Sequence, residues 1–255
     1  MIDKELNLKK AANIIKSSKN IVIFTGAGIS TESGISDFRS ENGLWSRYDP
    51  SIYANYHYFL KDPSPFWKMH NELTENLERV KPNYAHYAIA ELEKMGKVKA
   101  IITQNIDMLH HKAGSGSYKD IPIYELHGSY RKLECLKCGK EFEFKEIETK
   151  NVDYPVCKCG GFIKPKVILF GESLPSKIID RSMNAVIKAD CLIIVGSSLT
   201  VSPANFLPGL AKENRSKIIF INKDNTIMDD IADVFLKGRA TKIFRKLIRI
   251  LKENN

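Results

Sequence analysis

Four of the five cysteines fall in one short stretch, as Cys135-Leu-Lys-Cys138-Gly139 and, eighteen residues on, Cys157-Lys-Cys159-Gly160-Gly161. Four thiolates can close a tetrahedral zinc site and leave no position open, which makes the metal structural rather than catalytic. Without a secretory signal, clustered cysteines favour metal over disulfides. The CxC spacing of the second pair is tighter than the common CxxC, and the bland alternative is four surface thiols. Cys191 opens an apolar run and reads as a small core residue. Because a zinc ribbon can also bind nucleic acid, the cysteines alone do not choose a function.

A second set of groups lies where apolar runs end. Thr103-Gln104-Asn105-Ile106-Asp107 follows Lys-Ala-Ile-Ile, and amides beside a carboxylate suit ribose hydroxyls and a carboxamide. Glu125-Leu126-His127-Gly128 follows Ile-Pro-Ile-Tyr; a histidine there can act as a general base near neutral pH. His110 and His111 fit a structural role better. Gly26-Ala27-Gly28-Ile29-Ser30-Thr31 follows the first apolar run and would let backbone N–H groups approach a phosphate. As a dinucleotide fingerprint it is incomplete, since Thr31 holds the third glycine position and no strand-end acid lies about twenty residues on. A plain tight turn is the competing reading. Gly196-Ser197-Ser198 and Asn222 close two further apolar runs.

The elements that would carry these groups alternate. Residues 20–25, 99–103, 121–126, 166–170, 191–198 and 217–222 read as strands, most of them apolar on both faces as buried parallel strands are. Helical spacing covers 4–18, 83–95, 177–189, 203–213 and 240–252. This predicts an α/β fold: a Rossmann-like doubly wound parallel sheet. Residues 36–82 and 129–165 break the rhythm and read as insertions rather than sheet. The expected division is a sheet domain over 1–35, 83–128 and 166–255, a cofactor-loop and helical insertion over 36–82, and a zinc-binding module over 129–165. The longest apolar run, Cys191–Val195, is five residues, far short of the ~20 a membrane helix needs, and no membrane partner is expected. The absence of targeting signals points to the cytoplasm.

Together these residues resemble the sirtuin family of NAD-dependent protein deacylases, over nearly the whole chain. The resemblance rests on GAGIST-x-SGI-x-DFR (26–39), TQNID-x-LH (103–110), ELHGS (125–129), the four cysteines, FGE-x-LP (170–175) and GSSLTVSPA (196–204). It implies a compact prokaryotic-type catalytic core with a small zinc-binding lobe and NAD held between lobe and sheet domain. Gly26, Ala27, Gly28, Thr31, Asp37, Phe38 and Arg39 would form the cofactor loop, with Arg39 neutralising phosphate and Phe38 covering the ribose carbon once nicotinamide leaves. Asn105 and Asp107, with the Ile106 backbone, would hold the carboxamide, and Gln104 the adjoining ribose. Gly196, Ser197, Ser198, Asn222 and Ala240 would line the adenosine side. Val167, Ile168, Phe170 and Gly171 would take the acyl-lysine peptide, strand 167–170 pairing with it. The implied reaction is attack of the acyl oxygen on ribose C1′, displacing nicotinamide and forming an alkylamidate. His127 then deprotonates the ribose so that the acyl group ends on ADP-ribose, with Asn105 also catalytic. Nicotinamide is the product and an expected inhibitor.

Some positions depart from the family pattern. Ser36 stands where proline is common and Ser40 where glycine is. At the place of the Tyr-x-x-Arg pair of members that prefer acidic acyl groups stand His70 and Leu73, so acetyl or longer apolar groups are expected over succinyl. Alternatives are protein mono-ADP-ribosyl transfer, an NAD oxidoreductase with structural zinc, and a zinc-ribbon nucleic-acid binder. The last is suggested by the net charge of +9, from 39 basic against 30 acidic residues. Most of that excess lies in 237–253, where an apolar stripe of Ile243, Phe244, Leu247, Ile248 and Leu251 would pack inward and the basic residues face water. Direct nucleic-acid binding is therefore not expected.

Overall fold

The computed structural model describes residues 2–253. In chain order its elements are α1 (Ile2–Ser17), β1 (Ile21–Thr25), α2 (Pro50–Tyr53), α3 (Tyr56–Lys61), α4 (Ser64–Arg79), α5 (Tyr84–Lys94), β2 (Val98–Thr103), α6 (Leu109–Lys112) and β3 (Ile123–Glu125). They continue with β4 (Gly128–Cys135), β5 (Glu141–Glu143), β6 (Ile163–Val167), α7 (Ser176–Ile187), β7 (Cys191–Val195), α8 (Leu207–Glu213), β8 (Lys217–Asn222), β9 (Val234–Lys237) and α9 (Ala240–Lys252). The chain groups into two compact units, one of residues 1–34, 81–126 and 175–255, the other of 35–80 and 127–174. No described helix is long and apolar enough to cross a membrane.

The first unit holds six parallel strands in the order β3-β2-β1-β7-β8-β9. Every residue of β1 and β7 is buried, which is why both read as unbroken apolar runs with no alternation. The chain leaves β1 toward β2 and leaves β7 toward β8 on the other side. The order therefore reverses between β1 and β7, the switch point where open α/β sheets bind ligands. Helix α9 turns Ile243, Phe244, Leu247, Ile248 and Leu251 inward. Burying each of these contributes about 1.5–3 kcal/mol, so the basic residues are left outside by the packing of the stripe. Asn83 caps α5, accepting the Ala85 N–H at 2.9 Å while its own N–H reaches His86 Nδ1 at 3.3 Å.

The second unit differs from the sequence expectation in three ways. The insertions expected over 36–82 and 129–165 are not separate: residues 35–80 and 127–174 form one compact unit. The cysteine stretch is itself sheet, a three-stranded antiparallel arrangement in the order β5-β4-β6. Its pattern was obscured by a register irregularity between Gly128 and Leu133, which breaks the two-residue alternation. Third, 166–170 is not a strand of the parallel sheet. β6 runs Ile163–Val167 and pairs with β4, and the boundary expected at 166 falls instead at Leu174. Val167–Phe170 looked like a buried parallel strand because its side chains are apolar, although beyond β6 the Ile168 and Phe170 amides bond to the His127 and Ala54 carbonyls and the Leu169 amide to the Glu172 carboxylate. In the first unit, β9 escaped sequence reading because it spans only four residues between Asp233 and Gly238.

Asp233 ties three parts of the first unit together. Its carboxylate accepts from Lys212 and Lys217, both at 3.0 Å, and from the Ile218 N–H at 3.0 Å. Burial alone would raise its pKa; the Ile218 amide and the two lysines more than offset this and bring it to about 2 from 3.8. A carboxylate depressed in the fold adds stability above its unfolded pKa and loses it as pH falls through the folded value. Asp233→Asn is therefore expected to cost about 1–2 kcal/mol at neutral pH. In urea titrations, that deficit should shrink between about pH 4 and pH 2.

Candidate active site and metal centre

At the switch point the backbone of two strand ends comes into contact. Gly196, with φ of +61°, packs so closely on the first glycine loop that a Cβ there would lie 2.2 Å from the Ile29 nitrogen. A Cβ on Gly28 would meet Gly196 Cα at 2.8 Å. The loop itself is two short 3-10 turns, 27–29 and 31–33, in which the Gly26, Gly28, Ile29 and Ser30 N–H groups are bonded to main-chain carbonyls.

The strand-end polar groups interlock around this contact. Asn105 Nδ2 donates to the Gly26 carbonyl at 3.1 Å and toward Ser30 Oγ at 3.3 Å. Ser30 Oγ donates to Asp107 Oδ2 at 2.6 Å. Gln104 Nε2 donates to Ser197 Oγ at 2.9 Å. The Asn222 amide clamps the Ser197 main chain, accepting its N–H at 3.1 Å and donating to its carbonyl at 2.7 Å. Asn105, Asp107, Ser197 and Asn222 are all buried. Burial is the main influence on Asp107 and raises its pKa; Ser30, the Leu109 N–H and Asn105 pull it down, and Glu125 adds to the rise. Among the described residues the Ser198 hydroxyl bonds to Thr200, at 2.9 Å, and Ala240 is the buried first residue of α9.

Three contributors were not singled out by sequence. Ser30 connects Asn105 to Asp107. His86, whose pKa burial lowers to about 4, is neutral; with Nδ1 accepting the Asn83 N–H, its Nε2 proton points at Ser30 Oγ 3.5 Å away. Thr103 receives the Thr25 hydroxyl at 2.8 Å and the Asn105 N–H at 3.0 Å. An asparagine cap followed three residues later by a histidine was the available signal for His86. His110 is buried, 3.0 Å from Thr25 Oγ1, as a structural residue would be.

In the second unit, Asp37 Oδ1 accepts the N–H of Arg39 at 3.2 Å and of Ser40 at 2.8 Å, folding the DFR segment over itself. Phe38 lies 5.2 Å from Trp45, ring to ring, and Arg39 is exposed. His127 is half-buried and its carbonyl accepts the Ile168 N–H at 2.9 Å. Gly128 after it has φ of +73°, and a Cβ there would overlap the Lys166 carbonyl at 1.8 Å, so only glycine fits.

The four clustered sulfurs lie within 4.8 Å of one another. Cys135 and Cys159 are 3.4 Å apart, Cys138 and Cys157 3.8 Å. A tetrahedral zinc with sulfurs at about 2.3 Å needs edges of about 3.8 Å, so the donor set fits the ion and leaves it no open position.

A family profile described as the Sir2 family matches residues 26–203. The chain belongs to the Sir2 family. It is 46% identical over 252 residues to the NAD-dependent protein deacylase 2 of Archaeoglobus fulgidus, an alignment covering 97% of each chain. Among solved structures it resembles a Sir2 variant with a deacetylated p53 peptide and 3′-O-acetyl-ADP-ribose, at a TM-score of 0.89 and 32% identity over 95% of this chain and 98% of that one. It also resembles Sir2Af2 bound to a myristoylated histone peptide, at 0.81 and 39% over 98% of both. In this Sir2 chain the four clustered cysteines can hold a zinc ion that braces the second unit. Cys138→Ser is expected to lose the metal, measured by elemental analysis of the purified protein, and to lower the unfolding temperature by several degrees, as loss of a structural zinc does.

Proposed function

We propose that the chain is an NAD-dependent protein lysine deacylase, with acylated-lysine proteins or peptides and NAD as its two substrates. The supporting observation is the buried cluster of Asn105, Asp107 and Ser30, bonded to the glycine loop at the switch point of a Sir2-family sheet. Amide and carboxyl groups fixed in that way can hold a carboxamide by donor and acceptor at once. Gln104, Ser197 and Asn222 offer hydroxyl and amide groups for a ribose, and the Ala27 and Thr31 N–H groups, which the loop's own main-chain bonds leave over among the described residues, suit phosphate. Arg39, exposed in the DFR turn, supplies the countercharge.

In this reading the acyl oxygen of the bound lysine attacks the ribose carbon as nicotinamide leaves. His127 takes a proton from the ribose so that its hydroxyl can accept the acyl group. Water then breaks the bond between the acyl carbon and the lysine nitrogen, so the products are nicotinamide, free lysine on the peptide and O-acyl-ADP-ribose, and nicotinamide competes as an inhibitor. Acetyl and longer apolar groups are preferred over succinyl. His70 lies among the rings of Phe66, Trp67 and Phe144, and burial pushes its pKa down to about 3. It is neutral at working pH and offers no positive charge to an acidic acyl group.

Incubation with NAD and an acetyl-lysine peptide tests the reading. The expected result is loss of one acetyl mass from the peptide with one nicotinamide released. A peptide that gains ADP-ribose would make the protein a transferase, and reduced nicotinamide an oxidoreductase. His127→Ala should lower turnover by on the order of 10²–10⁴-fold while NAD still binds by calorimetry. Succinyl-peptide turnover above that on acetyl-peptide would overturn the acyl assignment.

A further inference from the structure

One ion pair in the second unit has an ammonium buried as deeply as the apolar core and a carboxylate that is mostly covered. Lys164 on β6 is 1% exposed, and its ammonium lies 3.0 Å from Glu172 Oε2. A buried ammonium is costly unless its protons are used. Here Nζ also donates to the Val167 carbonyl at 2.7 Å and to that of Pro165 at 3.3 Å, with the Tyr56 ring 5.9 Å away. Glu172 Oε2 in turn accepts the Leu169 N–H at 2.7 Å. The pair thus grips the main chain on both sides of Ile168.

That stretch has no regular ladder to hold it. β6 ends at Val167, and the Ile168 N–H goes to His127. Phe170 is anchored by the Ala54 carbonyl at 2.8 Å and the Tyr56 N–H at 2.9 Å. These bonds leave the Ile168 carbonyl and the Gly171 N–H without a partner among the described residues. They are an acceptor and a donor on a segment already extended and pinned.

We propose that the Lys164–Glu172 ion pair is a positioning device for the substrate, presetting the 167–171 main chain so that the Ile168 carbonyl and Gly171 amide receive an extended acyl-lysine peptide. The proposal rests on the deacylase reading. An ion pair serving only the fold could be exchanged for apolar side chains of similar volume with little loss, or even with gain. A pair that sets main-chain geometry could not be exchanged without loosening the segment.

The test uses steady-state kinetics on the zinc-loaded protein, varying acetyl-lysine peptide and NAD separately, for wild type, K164R, E172Q and the double variant K164M/E172M. Glu172→Gln leaves an unpaired buried charge and risks the fold; the double variant removes both charges and should unfold near the wild-type temperature. In the double variant, KM for peptide should rise about ten- to hundred-fold, with KM for NAD changed less than about two-fold. Lys164→Arg, which keeps the charge and the donors, should restore peptide KM to within about three-fold of wild type. A folded double variant with unchanged peptide KM, or one whose NAD KM rises equally, overturns the proposal alone. A wild type that releases no nicotinamide with acetyl-peptide overturns the deacylase reading and the proposal with it.

Discussion

The first unit depends on a backbone contact made possible by missing side chains. Gly196 and Gly28 touch where β1 and β7 part company, and neither strand end could be where it is with a methyl group in between. Everything polar at that end of the sheet is referenced to this contact. Asn105 bonds the carbonyl of Gly26, Ser197 follows Gly196, and Asn222 holds Ser197. A shift of either loop would strand several buried amide and hydroxyl groups without partners, each a loss of about 1–3 kcal/mol. The contact is therefore protected by the network it supports.

Burial gives the same network its chemical character. In a low-dielectric setting, hydrogen bonds between neutral and charged groups strengthen one another, and any unmade bond is expensive. Asp107 sits in that setting with its pKa pushed up by desolvation and pulled back by three donors. His86 is kept neutral and so can direct a single proton toward Ser30. A set of groups so constrained has few ways to relax, which is the condition for recognising a planar amide by geometry rather than by fit to whatever enters.

Much of this was legible in the sequence because parallel strands buried on both faces write themselves as apolar runs, and their carboxyl ends as polar punctuation. The cysteines were legible by spacing alone. What was hidden had a physical reason in each case. The register irregularity in β4 removed the alternation that marks an antiparallel strand, so the small sheet looked like loop. Val167–Phe170 carried the composition of a core strand while its amides bond outside any parallel ladder. Lys164 reads in sequence as a surface lysine; only its surroundings reveal a buried ammonium. Ser30 and Thr103 matter chiefly through Asp107 and Thr25, partners distant in sequence that no spacing rule reports, and the cap spacing that marks His86 does not reveal its approach to Ser30.

The central strand of the large sheet also has a consequence in time. Ile21 pairs with Val98 on one side and with Cys191 on the other, and β8 and β9 come later still. On a ribosome adding about 5–20 residues per second, β1 is made early and must wait for the partner that covers its second edge. Its apolar residues and open amides are meanwhile a template for any other strand nearby. The arrangement that places ligand groups at a switch point therefore makes the nascent chain reliant on protection until its last third has emerged.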